Sequence, residues 1–445
     1  MTIETAPGGV EANLVELFQH LGIERAHIAS GGPPAITDWQ GLATSHPDRI
    51  ASLIIPSPPL LDPTGLRAVA DRLLIVAGDA GTSPLGANRL LAELPGAEAH
   101  FLRGYGWEPW SDVALDRGPE FAAALLDFLD RHPLDAVALS EGEGEAAGIT
   151  YRIRGAGPPL VLMPLALAPS QWEPLIDTLS ARYCTISLAG PLLGVVGILE
   201  GRGRSPYLAM VRSVLDLVGI EPGEVVLEVG GGSGVVLREI ARRTGGANPI
   251  IDIDINPYLL REAKALADQA GLAELISFRE GSAEAIPLAA NRVDVALSFT
   301  VLEEGDAERM LAELVRVTKP GGRVAAIVRA IDMPGWVTPE LSAAVLAKIS
   351  RPGMAAGGKD PRGCGDTSLY QRFHEVGLTR IACLPQFAPL SAEETSRIAI
   401  FKQRVLAVLD PDERREFLSA VARAEADGTF AIAAPYHCAV GTKPG

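Results

Sequence analysis

The sequence predicts an α/β protein built from parallel, doubly wound sheets. Short apolar runs alternate with amphipathic stretches along the whole chain, and glycine-rich turns follow several of the runs. The chain has 445 residues, and at roughly 100–200 residues per domain it has room for two or three domains.

Taken in order, residues 10–21 and 119–129 read as helices, while RAHIAS, RIASLIIPS and LLIVAGD read as buried strands. Residues 134–147, LDAVALSEGEGEAA, combine acidic and small residues without periodicity and read as a linker. ITYRIR, PLVLMPL and CTISLAG follow as strands, with QWEPLIDTLSARY helical between the last two. A second break is expected over 190–205, which ends in LEGRGRS. Beyond it VVLEVG, IIDIDI, ISFRE, VDVALSF and GRVAAIV form five strand candidates separated by helical periodicity. The expected segments are therefore 1–133, 148–195 and 205–445, and no repeat suggests a solenoid.

Composition narrows the function. Lys plus Arg number 39 against 55 Asp plus Glu, a formal net charge of −16, which argues against nucleic acid or an anionic membrane surface as partner. A 47% hydrophobic and 21% charged composition is that of a folded protein. Cys184, Cys364, Cys383 and Cys438 show no CxxC spacing, so neither a disulfide framework nor a metal site is expected, and a cytoplasmic location fits. The first residues lack the basic and apolar regions of a signal peptide. Residues 158–169 are too short and too proline-broken to span a bilayer.

The most informative stretch is VVLEVGGGSGVVLREI, in which a buried strand ends at Glu228-Val229 and Gly230, Gly231, Gly232, Ser233 and Gly234 lead into a helix. Glycines there let the backbone turn tightly and let a ligand approach without meeting a side chain. A dinucleotide loop needs a third glycine where Val235 stands, and a phosphate loop needs a GK[ST] that is absent. The spacing resembles the ExGxGxG loop of class I S-adenosylmethionine-dependent methyltransferases. The resemblance faces Glu228 toward the methionine part of that cofactor and makes Gly230, Gly232 and Gly234 part of its binding loop. It runs on through Asp254-Ile255-Asn256-Pro257, where an acidic strand end accepts ribose hydroxyls. Gly281-Ser282-Ala283-Glu284-Ala285-Ile286-Pro287 resembles the adenine turn, with Ser282 in place of the usual Asp. Residues 293–299, with the cofactor candidate Ser298, resemble the fourth strand, whose end lies beneath the sulfonium, and LVRVTKPGGRV resembles the turn before the fifth. RIACLPQF and FAIAAPYHCAVGTKP resemble the last two strands, the final one antiparallel, so that the likeness covers about 205–445.

The first two segments resemble α/β-hydrolases taken in reversed order. Residues 148–190 look like the opening strands, and 10–133 like the remainder. The chemistry of that fold needs a serine elbow, an acid, a histidine and an oxyanion hole. Here the elbow reads Ala29-Ser30-Gly31-Gly32-Pro33, with Gly31 at the nucleophile position. Gly81 stands at the acid position, Trp107 at the histidine position, and Pro164-Leu165 at the supporting His-Gly. Ser30 or Asp79 could substitute only after a shift of one or two residues, and Trp107 cannot accept a proton. The two segments are expected to form one circularly permuted, catalytically empty domain, because chain ends of a domain often lie close together.

The resemblance implies a methyltransferase with S-adenosylmethionine as cofactor and a small-molecule acceptor, a natural-product or quinone-like hydroxyl or carbon. The hydrolase-like region would serve as scaffold or cap, and a homodimer stays open. Candidate bases are His374, His437 and Glu303, the last followed by Glu304. Each has a plain alternative: a surface histidine, a structural histidine, and a solvated acidic turn. The acceptor would be roofed by residues 330–371, whose glycines and prolines suit a mobile lid. Trp336 there either walls an aromatic acceptor or packs the lid, and Cys364 is either reactive or inert. The rival readings are a non-catalytic ligand-binding protein and a hydrolase acting through Ser30. A nicotinamide-dependent oxidoreductase is disfavoured by Val235.

Overall fold

The Val-, Ile- and Leu-rich runs form strands in the computed structural model. It describes residues 10–30, 36–56, 63–81, 83–106, 112–165, 169–190, 193–354, 360–390 and 395–445. The chain divides into two units, Met1–Ile198 and Leu199–Gly445. Gly31, Gly32 and Pro33 of the elbow, and Trp107, lie outside the described residues.

In the first unit the strands are β1 (Ala26–Ala29), β2 (Ile50–Pro56), β3 (Leu73–Ala80), β4 (Glu98–Gly106), β5 (Gly142–Ala146), β6 (Ile149–Arg154), β7 (Pro159–Leu162) and β8 (Cys184–Ala189). Among the described residues they make one sheet in the order β4-β3-β2-β1-β7-β8-β6-β5. PLVLMPL and HIAS therefore share a sheet, with Leu160 of β7 beside His27 of β1 in parallel register. Only β6 runs against its neighbours. Alternate strand residues feed two cores. Ile28, Leu53 and Ile75 pack with Leu14, Phe18 and Leu90 on one face, and Ala29, Ile54 and Val76 with Phe121, Leu125 and Leu175 on the other.

The second unit contains β9 (Val226–Val229), β10 (Ile250–Asp254), β11 (Ile276–Glu280), β12 (Val293–Phe299), β13 (Thr318–Arg329), β14 (Trp336–Val337), β15 (Thr379–Cys383), β16 (Gln386–Pro389) and β17 (Ile432–Thr442). Their order is β11-β10-β9-β12-β13-β17-β14, with β15 and β16 also on β17. The first five strands are parallel, and β17 is antiparallel to β13. Helices Pro206–Val218 and Val235–Arg243 bury Val211, Leu215, Leu237 and Ile240 on one face. Helices Ala307–Val317 and Ser368–Glu375 bury Leu311, Leu314 and Phe373 on the other.

Two expectations are corrected, over 134–147 and 330–371. The 134–147 stretch is not all linker, because β5 lies within it, an exposed edge strand that buries too little to show alternation. The division between the units falls within 190–205, inside a helix, Gly194–Arg202. The 330–371 roof is partly built: helix Ala343–Ile349 packs Val345 and Ile349 against Phe401, Val405 and Phe417. Those partners belong to helices Thr395–Val408 and Pro411–Ala426, inserted between β16 and β17. No helix among the described residues is long and apolar enough to cross a membrane.

His27 on β1 is 1% exposed, with Nδ1 2.8 Å from Ser52 Oγ. Burial, first, and the nearby His132 and Arg25 lower its pKa from 6.5 to about 4. The unfolded chain therefore binds a proton that the folded one refuses between those values, and stability falls as pH falls through that window. The loss is on the order of 3 kcal/mol at most. Calorimetric unfolding at pH 6.5 and pH 4 should show this destabilisation in wild type, and His27→Gln should shrink it. An unchanged difference would assign the acid sensitivity elsewhere.

Candidate active site

In the second unit the strand order reverses between β9 and β12, so chain leaving their C-terminal ends departs to opposite sides, the place at which doubly wound sheets form a ligand crevice. After Val229 the backbone turns through Gly230 (φ 68°) and Gly232 (φ 59°), left-handed conformations that side-chain-bearing residues resist. Space adds a second requirement. A β-carbon on Gly230 would strike Val301, and one on Gly231 would strike the Asp252 carboxylate. Gly234 (φ 78°) then caps helix Val235–Arg243.

Three carboxylates surround this turn. Glu228 is 2% exposed, Asp252 0% and Asp254 6%. Glu228 and Asp252 are directly opposite in the β9–β10 register, so their side chains share a face. The Gly231 N–H donates to Asp252 Oδ1 (3.2 Å), and the Gly232 N–H to Asp254 Oδ2 (3.1 Å). Asp254 Oδ1 accepts from the Asn256 N–H at 2.9 Å. Glu228 Oε2 and Asp252 Oδ2 are buried with no partner among the described residues. Burial, then repulsion from Asp252 and Asp254, holds the Glu228 carboxyl well above the usual range. Burial and Asp254 push Asp252 up to about 8. Asp254 is also raised, chiefly by burial, with three backbone N–H groups working against the shift.

The remaining cofactor candidates divide. Ile255 is 69% exposed at the end of β10, an apolar side chain open to solvent beside the crevice. Asp254 O accepts the Gly281 N–H at 3.0 Å, which ties the next turn to this strand. In that turn Ser282 Oγ accepts the Glu284 N–H at 3.1 Å, and Ala283 is half-buried. Ser298 is fully buried and in register with Val229, so it faces the side of the sheet opposite Glu228.

Glu303, after β12, is fully buried rather than part of a solvated turn. Its Oε1 accepts the Arg329 N–H (2.6 Å) and Nε–H (3.3 Å), and its Oε2 has no partner among the described residues. Burial raises its pKa despite Arg329. Glu304 is exposed and ion-paired with Arg329. His437, on β17, is 2% exposed with both ring nitrogens engaged. Nε2 lies 2.7 Å from Asp332 Oδ1 and Nδ1 lies 3.0 Å from Tyr370 Oη. His374 is on the solvent face of helix Ser368–Glu375. Cys364 is buried, and burial pushes its thiol pKa up, the opposite of what a reactive thiolate needs. Trp336, at the sheet edge, is 54% exposed.

Sequence reading missed Asp252, although its two-residue spacing from Asp254 puts both on one side of a strand. It also missed Asp332 and Tyr370, whose link to His437 spans 105 and 67 residues and leaves no local signal. The donor set is oxygen-rich and anionic. Two orphaned carboxylate oxygens beside a glycine cradle fit a cationic ligand that needs close backbone approach. No group of His, Cys, Asp and Glu among the described residues is arranged to hold a metal ion.

A family described as a methyltransferase domain matches residues 227–326. The ubiquinone/menaquinone biosynthesis C-methyltransferase UbiE of Klebsiella pneumoniae subsp. pneumoniae is 31% identical over 114 residues, 25% of this chain and 45% of the relative. The same enzyme of Hydrogenovibrio crunogenus is 32% identical over 114 residues, with the same coverage. The chain thus spans less than half the length of these curated relatives. Among solved structures, the YcgJ protein from Bacillus subtilis covers 54% of this chain and 99% of its own at 15% identity. Its TM-score is 0.37. Residues 227–326 are therefore a methyltransferase domain, of the kind that takes S-adenosylmethionine as its cofactor.

Proposed function

We propose that the protein is an S-adenosylmethionine-dependent methyltransferase acting on a small molecule, a quinone-like or natural-product hydroxyl or carbon. The observation that carries this reading is the buried trio Glu228, Asp252 and Asp254, set around a turn that only glycine fits, inside the matched domain. The quinone-like acceptor is suggested by the UbiE relatives, named as C-methyltransferases of ubiquinone and menaquinone biosynthesis.

The cofactor supplies a methyl group already activated on a sulfonium, so the chain's task is alignment and exclusion of water. Glu228 and Asp252 would present negative charge to its cationic end. Asp254 would take the ribose hydroxyls, and Ile255 would lie along the adenine face. Ser282 and Ala283 would close the adenine turn. Glu303 is the favoured base where the acceptor is a hydroxyl, since its Oε2 is uncommitted whereas both nitrogens of His437 are held. Arg329 orients it, and the inserted helices Thr395–Val408 and Pro411–Ala426 would form the acceptor cap.

The Met1–Ile198 unit would be a permuted, catalytically empty α/β-hydrolase fold serving as scaffold. Supporting this, the strands counted from β5 through β8 and then from β1 through β4 lie in the order 1-2-4-3-5-6-7-8, with only the second antiparallel. Hydrolysis through Ser30 has little support, because that side chain is 2% exposed and the Asp79 carboxylate accepts the Gly104 N–H at 2.6 Å.

Incubating host extract with the protein and methyl-labelled cofactor should yield a new labelled small molecule by mass spectrometry. Once the acceptor is identified, Glu303→Gln should lower kcat by roughly a hundredfold or more with little change in cofactor affinity. An unaffected kcat would remove the base role. In calorimetry, Asp254→Ala should weaken cofactor binding by more than about 1.5 kcal/mol, and Gly232→Val should abolish it. Wild-type affinity in either variant would displace the cofactor from this loop.

The carboxylate pair also predicts a pH dependence. Asp252, pushed up to about 8, holds its proton at neutral pH in the free protein, whereas a bound cation favours its ionised form. Binding then expels a proton, so affinity should rise from about pH 6 toward the Asp252 value, by up to roughly tenfold per unit. Asp252→Asn should flatten that slope, and a slope that persists would assign the proton elsewhere.

A further inference from the structure

We infer that Arg202 receives the carboxylate of the bound cofactor's amino-acid end. This rests on the methyltransferase reading and adds a binding residue to it. The last turn of helix Gly194–Arg202 is tied to the glycine loop at two points. Leu199 Cδ1 lies 3.0 Å from where a β-carbon on Gly232 would stand. Both Glu200 carboxylate oxygens accept from Arg238 Nη2, at 2.7 and 2.6 Å, and Arg238 Nη1 donates to Ser233 O at 2.7 Å. The segment thereby delivers Arg202 to the β12 side of the crevice, where its Nη1 donates to Thr300 Oγ1 at 3.1 Å.

Arg202 is not paired as the other arginines of this site are. Arg238 has Glu200 and Arg329 has Glu303 and Glu304. Arg202 has a hydroxyl and the face of Tyr207, 5.1 Å from its guanidinium, and its Nε is buried without a partner among the described residues. A half-buried guanidinium with an unused donor is costly unless an anion completes it. Thr300 is held in a left-handed conformation (φ 61°), which a β-branched residue adopts only when its surroundings enforce it, and this aims its hydroxyl at Arg202.

The position suits the chemistry. With the ribose at Asp254 on β10, an amino-acid end reaching across Glu228 on β9 would meet the β12 side, where Thr300 and Arg202 lie. An amino-acid end carries one ammonium and one carboxylate. The carboxylate would be repelled by Glu228, Asp252 and Asp254 unless a cation met it, and Arg202 is that cation.

The experiment compares S-adenosylmethionine with its decarboxylated form, which keeps the sulfonium and the amine, by calorimetric affinity in wild type, Arg202→Ala and Arg202→Lys. Wild type should prefer the carboxylate-bearing form by roughly tenfold or more. Arg202→Ala should erase that preference while leaving the decarboxylated form within about twofold of wild type, and Arg202→Lys should restore part of it. Equal weakening of both ligands by Arg202→Ala would make the residue a structural brace and overturn the assignment, as would an unchanged preference. Failure of wild type to bind either ligand would instead overturn the methyltransferase reading, and the assignment with it.

Discussion

Three carboxyl groups buried at the ends of two neighbouring strands impose the main constraint on the second unit. Glu228, Asp252 and Asp254 cannot all ionise without a positive partner. The loop amides of Gly231 and Gly232 satisfy only part of the demand. The loop's composition follows from the same geometry, since the Asp252 carboxylate fills the space that any side chain at position 231 would need. Charge and shape are thus set together: the turn is bare because acids crowd it, and the acids are tolerated because the turn brings amides to them.

Much of this was legible in the sequence. Buried parallel strands leave short apolar runs, and the glycine-rich turn after Glu228 marks itself by composition. The acid at Asp254 is marked by its place before Asn256-Pro257, which does cap the next helix through the Asn256 side chain. Less legible were elements whose burial is slight or two-sided. Strand β5, read as linker, is made of Gly, Glu and Ala and is largely exposed. Helix Gly194–Arg202, GVVGILEGR, shows no polar face to announce itself. The capping box from Asp410 to Glu413 did offer a local sign of the inserted helices.

Contacts between distant residues were not legible at all. The bonds that hold His437, and the pairing of Glu303 with Arg329 across 26 residues, depend on which strands become neighbours. Sequence could nominate both side chains for proton transfer but could not tell which had a lone pair to spare. Burial alone does not settle that question either, because both are almost completely hidden. The number of partners separates them.

The inserted helices have a hydrophobic centre of their own. Among the described residues, Val345, Ile349, Phe401, Val405, Phe417 and Val421 pack together, joined from the sheet strands by Ile432 and the partly buried Val337. A region that coheres around its own nucleus can exchange residues without disturbing the strands that bear the acidic trio. Substitutions should therefore gather in the helical insert before they reach β9 or β10.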